Sequence, residues 1–374
     1  MDEALEVMLR AIENARKTIR FEIYIYRASP IGEKFREALI AACARGLEVK
    51  VMVDALGSIA LSEKFWDPFK EAGGQFRWFN PLTLKRLGFR NHRKSLVCDE
   101  EIGFVGGFNI APEYEGDGVT RGWHDLGIQV PQPLAVELAR SFDGLFALAD
   151  FRHKRFAHLR KSALGKAIQT SQGDLLLNAP GRGARYMMGA ILNDLRQAQE
   201  VNIISAYFLP PRQIRRALMA VSRRGGKVNL IMAGKSDVPL SQMASRRLYS
   251  GLMRGGVNIY EFQPQILHTK LFLMDNVAYV GSANLDKRSL FINYEVLVRL
   301  GEKRAISQAK DFFQSALQHC RKLELADWRA SRTMWDKLKE QWAYFVLAKV
   351  DPYLSQLQWR LLLSARKPAE PKSG

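Results

Sequence analysis

An α/β fold made of two similar units in tandem is predicted for this chain, and three observations predict it. A strand–helix–strand order occurs twice. Each occurrence leads into the pattern His-x-Lys-x-x-x-x-Asp. Each pattern is followed by a short Gly-containing turn that carries an asparagine. Strands alternating with helices build a largely parallel or mixed sheet covered by helices, and a repeat in sequence is a repeat of structure.

The first unit begins with Phe21-Glu22-Ile23-Tyr24-Ile25-Tyr26, an apolar run read as a buried strand. A helix is expected over residues 32–44, stopped by Arg45-Gly46, and residues 49–53 form the next strand. The second unit repeats this order. Residues 201–207 read as a strand and 214–222 as a helix, Gly225-Gly226 breaks it, and 228–232 are the following strand. Gly73-Gly74 with Trp78-Phe79-Asn80-Pro81 is echoed by Gly255-Gly256 with Glu261-Phe262-Gln263-Pro264. The units are expected at residues 1–166 and 167–325, joined by a basic, loop-like stretch at 152–172, with residues 326–374 as a separate C-terminal segment.

Composition narrows the partners. Apolar residues at 47% supply a substantial core, while 56 Lys plus Arg against 38 Asp plus Glu leave a formal charge of +18. Such a surface favours an anionic partner: nucleic acid, an acidic membrane or a phosphate-bearing substrate. Cys43, Cys98 and Cys320 have no metal-ligand spacing and are odd in number, which argues against a disulfide framework and fits a reducing compartment. The histidines are scattered, so no metal site is expected. No apolar run reaches the ~18 residues of a membrane span. Met1 leads directly into Asp2 and Glu3, so no signal peptide is expected.

The chemistry lies at the two patterns. Read as a strand, the segment from Asn91 to Asp99 points His92 and Lys94 to one face. Asp99 opens a hairpin turn, and residues 102–105 return to Gly106-Gly107-Phe108-Asn109. The second copy runs from His268 and Lys270 to Asp275 and returns to Gly281-Ser282-Ala283-Asn284. Each unit thus offers one imidazole, one ammonium and one carboxamide. An imidazole is nucleophilic near neutral pH. A second can protonate the leaving alkoxide and then activate the acceptor. Paired lysines and asparagines can stabilise the charge that shifts onto the non-bridging oxygens.

These residues resemble the HxKxxxxD–GSxN signature of the phospholipase D superfamily, over residues 6–318 of the chain. The resemblance implies two α/β/α sandwich units meeting as a pseudo-dimer, followed by C-terminal amphipathic helices. It implies a catalytic set of His92, Lys94, Asp99, His268, Lys270 and Asp275, with His92 as nucleophile forming a phosphohistidine, His268 as acid and then base, and the two aspartates in support. Asn109, Ser282 and Asn284 would bind phosphate. A carboxylate downstream of each motif would hold an imidazole: Asp125 in the first half, Glu295 in the second. Two departures stand out. Gly107 replaces the commoner Ser, as in bacterial cardiolipin synthases. The second copy has one residue fewer than usual between Asp275 and Gly281, which calls for a tighter turn.

Within the superfamily the chain is similar to bacterial cardiolipin synthases of the B type. The likeness rests on residues 21–26, Gly106 to Ile110, residues 175–181 and Tyr207-Phe208-Leu209-Pro210. It implies phosphatidyl transfer onto phosphatidylglycerol to make cardiolipin, with other phospholipids as possible donors. It implies no cofactor, no nucleic-acid partner, an anionic membrane surface, and a peripheral location at the bacterial inner membrane. The alternatives are a phospholipase D-type hydrolase, a metal-independent nuclease of the same superfamily, or an inactive lipid-binding scaffold.

The C-terminal segment differs in character. Trp335, Leu338, Trp342, Phe345 and Val346 fall at helical spacing with Lys337, Lys339 and Lys349 interleaved. Asp351-Pro352 is expected to break this helix before Tyr353 resumes it. A basic helix with Trp on its apolar side can lie in a membrane interface. The alternative is a helix packed on the catalytic body. The stretch 366–374 is polar, the composition of a disordered tail.

Overall fold

A computed structural model describes residues 2–81, 88–149, 165–180 and 184–355. Their strands form two large mixed sheets. The first contains β1 (Thr18–Ile23), β2 (Glu48–Asp54), β3 (Gln75–Phe79), β4 (Ser95–Cys98), β5 (Ile102–Gly106) and β6 (Gly127–Pro131) in the order β3-β2-β1-β4-β5-β6. The second is built from β7 (Lys166–Thr170), β8 (Gly173–Asn178), β9 (Glu200–Ser205), β11 (Lys227–Ala233), β12 (Asn258–Phe262), β13 (Lys270–Met274), β14 (Val277–Gly281), β16 (Glu295–Leu300) and β17 (Cys320–Leu323). A two-stranded pair, β10 (Phe208–Leu209) and β15 (Leu285–Asp286), lies apart.

The run β12-β11-β9-β13-β14-β16 repeats the first sheet strand for strand. In both, the outer three strands run parallel and the motif hairpin turns antiparallel against them. The crossovers are helices, as parallel neighbours require. Pro30–Ala44 is capped by the Ser29 hydroxyl, and Arg212–Arg223 ends in Arg-Gly-Gly. The expected helices therefore hold.

Three local expectations change. The stretch 152–172 is not all loop, because Lys166–Thr170 forms β7 and pairs with β8; residues 150–164 lie outside the described set. The first strand stops at Ile23, three residues before the apolar run does. Beyond it, side chains replace the ladder: Tyr26 N–H donates to Ser58 Oγ at 2.8 Å and Ile25 N–H to Asn109 Oδ1 at 2.9 Å. Asp351-Pro352 does not break the last helix either. The helix Met334–Phe345 passes through a π turn at Val346–Val350 and stays helical to residue 355. Proline has no N–H to give, and the Lys287 ammonium takes the Ala348 carbonyl instead, at 2.7 Å.

The units meet across an apolar seam. Val97, Val105 and Leu138 from the first pack with Leu175, Leu177, Val296 and Val298 from the second. Met52, Phe79 and Phe89 close on Ile292 and Tyr294. No helix among the described residues is long and apolar enough to cross a membrane.

Candidate active site

The seam places both motifs at the boundary between the units. His92 and Lys94 precede β4 in extended chain, and His268 precedes β13, which Lys270 begins. The reading of His92 and Lys94 as strand residues is thus off by one to three positions, whereas Lys270 does lie in its strand. The backbone reason is reciprocal pairing across the seam. His92 N–H donates to the Tyr294 carbonyl at 2.9 Å and Tyr294 N–H to that of Arg90 at 2.9 Å. In the second half, His124 N–H donates to Ile266 O at 2.9 Å and His268 N–H to His124 O at 2.8 Å.

This exchange carries the carboxylates to the opposite motif. His92 Nδ1 lies 3.0 Å from Glu295 Oε1, and His268 Nδ1 lies 2.6 Å from Asp125 Oδ2. Each carboxylate holds the imidazole of the other unit, not of the motif it follows. Sheet register shows that the two are equivalent: Gly106 pairs with Gly127 and Gly281 with Leu297, and each carboxylate lies two residues before that partner.

Electrostatics fix the protonation. Burial pushes His92 down to about 4 against the pull of Glu295. Burial, then the Lys270 ammonium, lowers His268. Burial alone would raise Glu295, but His92 and Lys94 outweigh it and hold it below the usual carboxylate range. Burial likewise opposes the lowering of Asp125, and Lys270 with His268 prevails. An ionised carboxylate only accepts, so each imidazole is neutral with its proton on Nδ1. The Nε2 lone pair is then the reactive position. His92 Nε2 has no protein hydrogen bond among the described residues, whereas Lys270 Nζ sits 3.1 Å from His268 Nε2. Lys270 Nζ also lies 2.8 Å from His268 Nδ1, a crowding of donors in line with the lowered pKa.

Burial lowers both lysines, Lys94 most strongly. Lys94 Nζ donates to the His92 carbonyl at 2.7 Å and lies 5.1 Å above the Tyr24 ring. Lys270 Nζ donates to the His268 carbonyl. Two buried ammonium groups beside two neutral imidazoles form a place that an anion would relieve.

The remaining expected residues sit as follows. Asp99 accepts the N–H groups of Arg16, Lys17 and Thr18 at 2.7–2.9 Å, and Asp275 accepts those of Gln199 and Glu200 at 2.7–3.1 Å. Both lie at the far ends of their hairpins, about 16 Å of extended chain from the lysines. They lock each hairpin to the start of β1 or β9 and stand outside the imidazole cluster. The tighter second turn is present: Asp275-Asn276 joins β13 to β14, where Asp99-Glu100-Glu101 joins β4 to β5. Ser282 Oγ donates to Glu295 Oε2 at 2.5 Å. Asn109 gives Nδ2–H to Tyr114 Oη at 2.7 Å besides accepting from Ile25. Ser282 and Asn109 therefore support the site from behind. Asn284 is 2% exposed, and its Oδ1 has no partner among the described residues.

An aromatic wall was not foreseen from sequence. Tyr24 packs edge-on to His92 at 4.8 Å, and Tyr114, Trp123 and Tyr207 surround His268 at 5.5, 5.5 and 6.4 Å. Tyr24 and Tyr207 lie one and two residues past the ends of β1 and β9, at the C-terminal part of the runs read as strands, which was the available signal.

Two histidine–lysine half-sites, related by register and completed by each other's carboxylate, define a phospholipase D-type site. Residues 8–144 and 191–317 match the family described as cardiolipin synthase, PLD-like domain, and the chain belongs to that family. Cardiolipin synthase B of Salmonella typhi is 30% identical over 355 residues, covering 92% of this chain and 86% of that protein. Cardiolipin synthase 1 of Bacillus cereus is 31% identical over 334 residues, covering 85% of this chain; the match spans 65% of that relative's length. In solved structures, the fold is similar to that of phosphatidylserine synthase from Haemophilus influenzae, with a TM-score of 0.72 at 15% identity over 95% of this chain and 93% of that one.

Proposed function

We propose that the chain makes cardiolipin by transferring a phosphatidyl group between phospholipids, with phosphatidylglycerol as acceptor, through a phosphohistidine at His92. The observation that carries the roles is the asymmetry at Nε2: His92 Nε2 has no partner among the described residues, and His268 Nε2 faces Lys270. The His92 lone pair attacks phosphorus, the P–O bond to the departing alcohol breaks, and the His268 Nε2 proton goes to that oxygen. The acceptor hydroxyl then gives its proton to His268 and attacks phosphorus, and the P–N bond breaks. Both imidazoles return to their starting states. Glycerol leaves when the donor is also phosphatidylglycerol.

His268 must carry a proton for the first step, although burial and Lys270 lower its pKa. The anionic phosphodiester supplies the correction: bound beside Lys94 and Lys270, it offsets their charge and raises His268. The same oxygens take hydrogen bonds from the two ammonium groups, and the orphaned Asn284 carboxamide is available to a substrate hydroxyl. The net charge of +18 suits an anionic, peripheral location at the bacterial inner membrane.

The test is incubation with labelled phosphatidylglycerol vesicles in EDTA, with His92→Ala and His268→Ala in parallel. Cardiolipin from the intact chain alone is the expected result. Phosphatidic acid without cardiolipin would make the protein a hydrolase. No lipid turnover, with cleavage of single-stranded DNA, would make it a nuclease.

A further inference from the structure

The C-terminal helix is the largest feature that the chemistry leaves unused. Its inner side, with Glu340, Ala343 and Ala348 buried, packs on the helix Pro239–Arg254. Its outer side is the aromatic one. Trp335 is 73% exposed, Trp342 60%, Phe345 55% and Tyr353 65%. The helix packs on the body, as the alternative reading expected, and the face it uses is opposite to the one the Trp residues occupy. At about 100° per residue, positions 335, 338, 342 and 345 share one strip. The π turn then adds less rotation per residue and keeps 353 and 354 over it. A contiguous apolar strip rimmed by charge marks a docking face.

Charge identifies what docks. The acidic side chains of this helix are all engaged: Asp336 in the Thr333 cap, Glu340 with Arg332, and Asp351 with Arg288. Lys337, Lys339 and Lys349, which border the strip, are exposed and form no ion pair among the described residues. Beside Met334 and Leu338 lies a cavity of about 370 Å³ whose walls include Arg246, Arg247, Arg329, Arg332 and Lys337. Glu261 and Glu340 pair with Arg246 and Arg332. Arg247, Arg329 and Lys337 have no acidic partner among the described residues.

We infer that this face docks on an anionic lipid bilayer, with the aromatic strip at the acyl boundary and the basic cavity holding the phosphate of a lipid that is not being turned over. The inference deepens the lipid reading above and rests on it for its biological sense. Lipid surface and catalytic chemistry are mechanically joined: Arg288 donates to Asp351 at 2.6 Å and to the Gly88 carbonyl at 3.1 Å, four residues before His92. Docking thereby sets the orientation of the motif segment toward the membrane.

The test uses the full chain and co-sedimentation with vesicles of phosphatidylcholine alone or with phosphatidylglycerol. Trp335→Ala/Trp342→Ala is expected to weaken partition onto the anionic vesicles about tenfold or more. Arg329→Glu/Lys337→Glu is expected to remove the preference for anionic over neutral vesicles. Both variants should keep the wild-type thermal midpoint and the turnover of monomeric short-chain phosphatidylglycerol. Wild-type partition by the Trp variant, or equal binding of the wild type to neutral and anionic vesicles, overturns the inference. So does a dimer in sedimentation that the Trp variant dissolves while vesicle binding persists, because the strip then serves a second copy. Vesicle binding without turnover supports the surface and sinks only the transfer reading.

Discussion

The two half-sites are laid down on one register and finished with different parts. In one, Glu295 reaches His92 and is braced by the Ser282 hydroxyl. In the other, the shorter Asp125 reaches His268 and is packed against Gly107; a Cβ built there would meet Asp125 Oδ1 at 2.3 Å. Gly107 and Ser282 are equivalent positions, each following the glycine that ends β5 or β14. So the unusual glycine and the shorter acid are one adjustment. The surroundings differ as well. Asn91 and Ser95 flank the first motif and donate to buried Glu22 at 3.0 and 2.9 Å, where Leu267 and Leu271 flank the second. A polar bed with a free Nε2 suits a nucleophile. A tighter, more aromatic pocket with a lysine at Nε2 suits a group that only handles protons. Duplication supplied the symmetry, and divergence of a few side chains supports a division of labour.

The largest test breaks the symmetry outright. With a phosphatidyl donor whose leaving group is p-nitrophenolate, His268→Ala should still release about one equivalent in a burst and accumulate acid-labile phosphohistidine, while steady turnover falls about 10⁴-fold. His92→Ala should give no burst. Reversed behaviour would exchange the two roles. A smaller test sharpens the comparison at the equivalent pair. Gly107→Ser drives an atom into the Asp125 carboxylate and should lower kcat about 100-fold by displacing His268. Ser282→Ala removes one charge-assisted hydrogen bond from Glu295 and should cost about tenfold. Equal losses would mean that the two bracings are interchangeable.

The smallest effect is one of stability. Both imidazoles have folded values below the ordinary one near 6.5, so on acidification the unfolded chain takes up protons first. Stability therefore falls as pH drops from about 6.5 towards 4, by at most about 1.4 kcal/mol per pH unit for each imidazole. The urea midpoint should be lower at pH 5 than at pH 7. Lys270→Met removes an ammonium that lowers His268 and should narrow that difference. An unchanged difference would mean that Lys270 does not govern His268.

Much of this architecture was legible in the sequence because its signals are local. The repeated strands and helices fall within a few residues of the elements found. The hairpin shortened by one residue was readable from the spacing between Asp275 and Gly281. Glu295 and Asp125 came from the family resemblance and not from spacing, since they stand 27 and 33 residues after His268 and His92. What could not be read was whom they serve. His92 and Glu295 are 203 positions apart, and no periodicity encodes a contact of that range. The aromatic wall was hidden for the same reason, Tyr114 and His268 being 154 positions apart. The helix through Pro352 was missed because its relief is a lysine on another element.

The exchange of carboxylates also sets a schedule for the newly made protein. A ribosome delivers the first half with His92 present and the acid that orients it still 203 codons away. At about 5–20 residues per second, that interval is about 10–40 s. During it, the emerging half has an imidazole with no carboxylate to orient it. The second half in turn finds its own histidine completed only on meeting the first. In the proposed mechanism, bond-breaking at phosphorus thus waits until Glu295 has been made and has met His92.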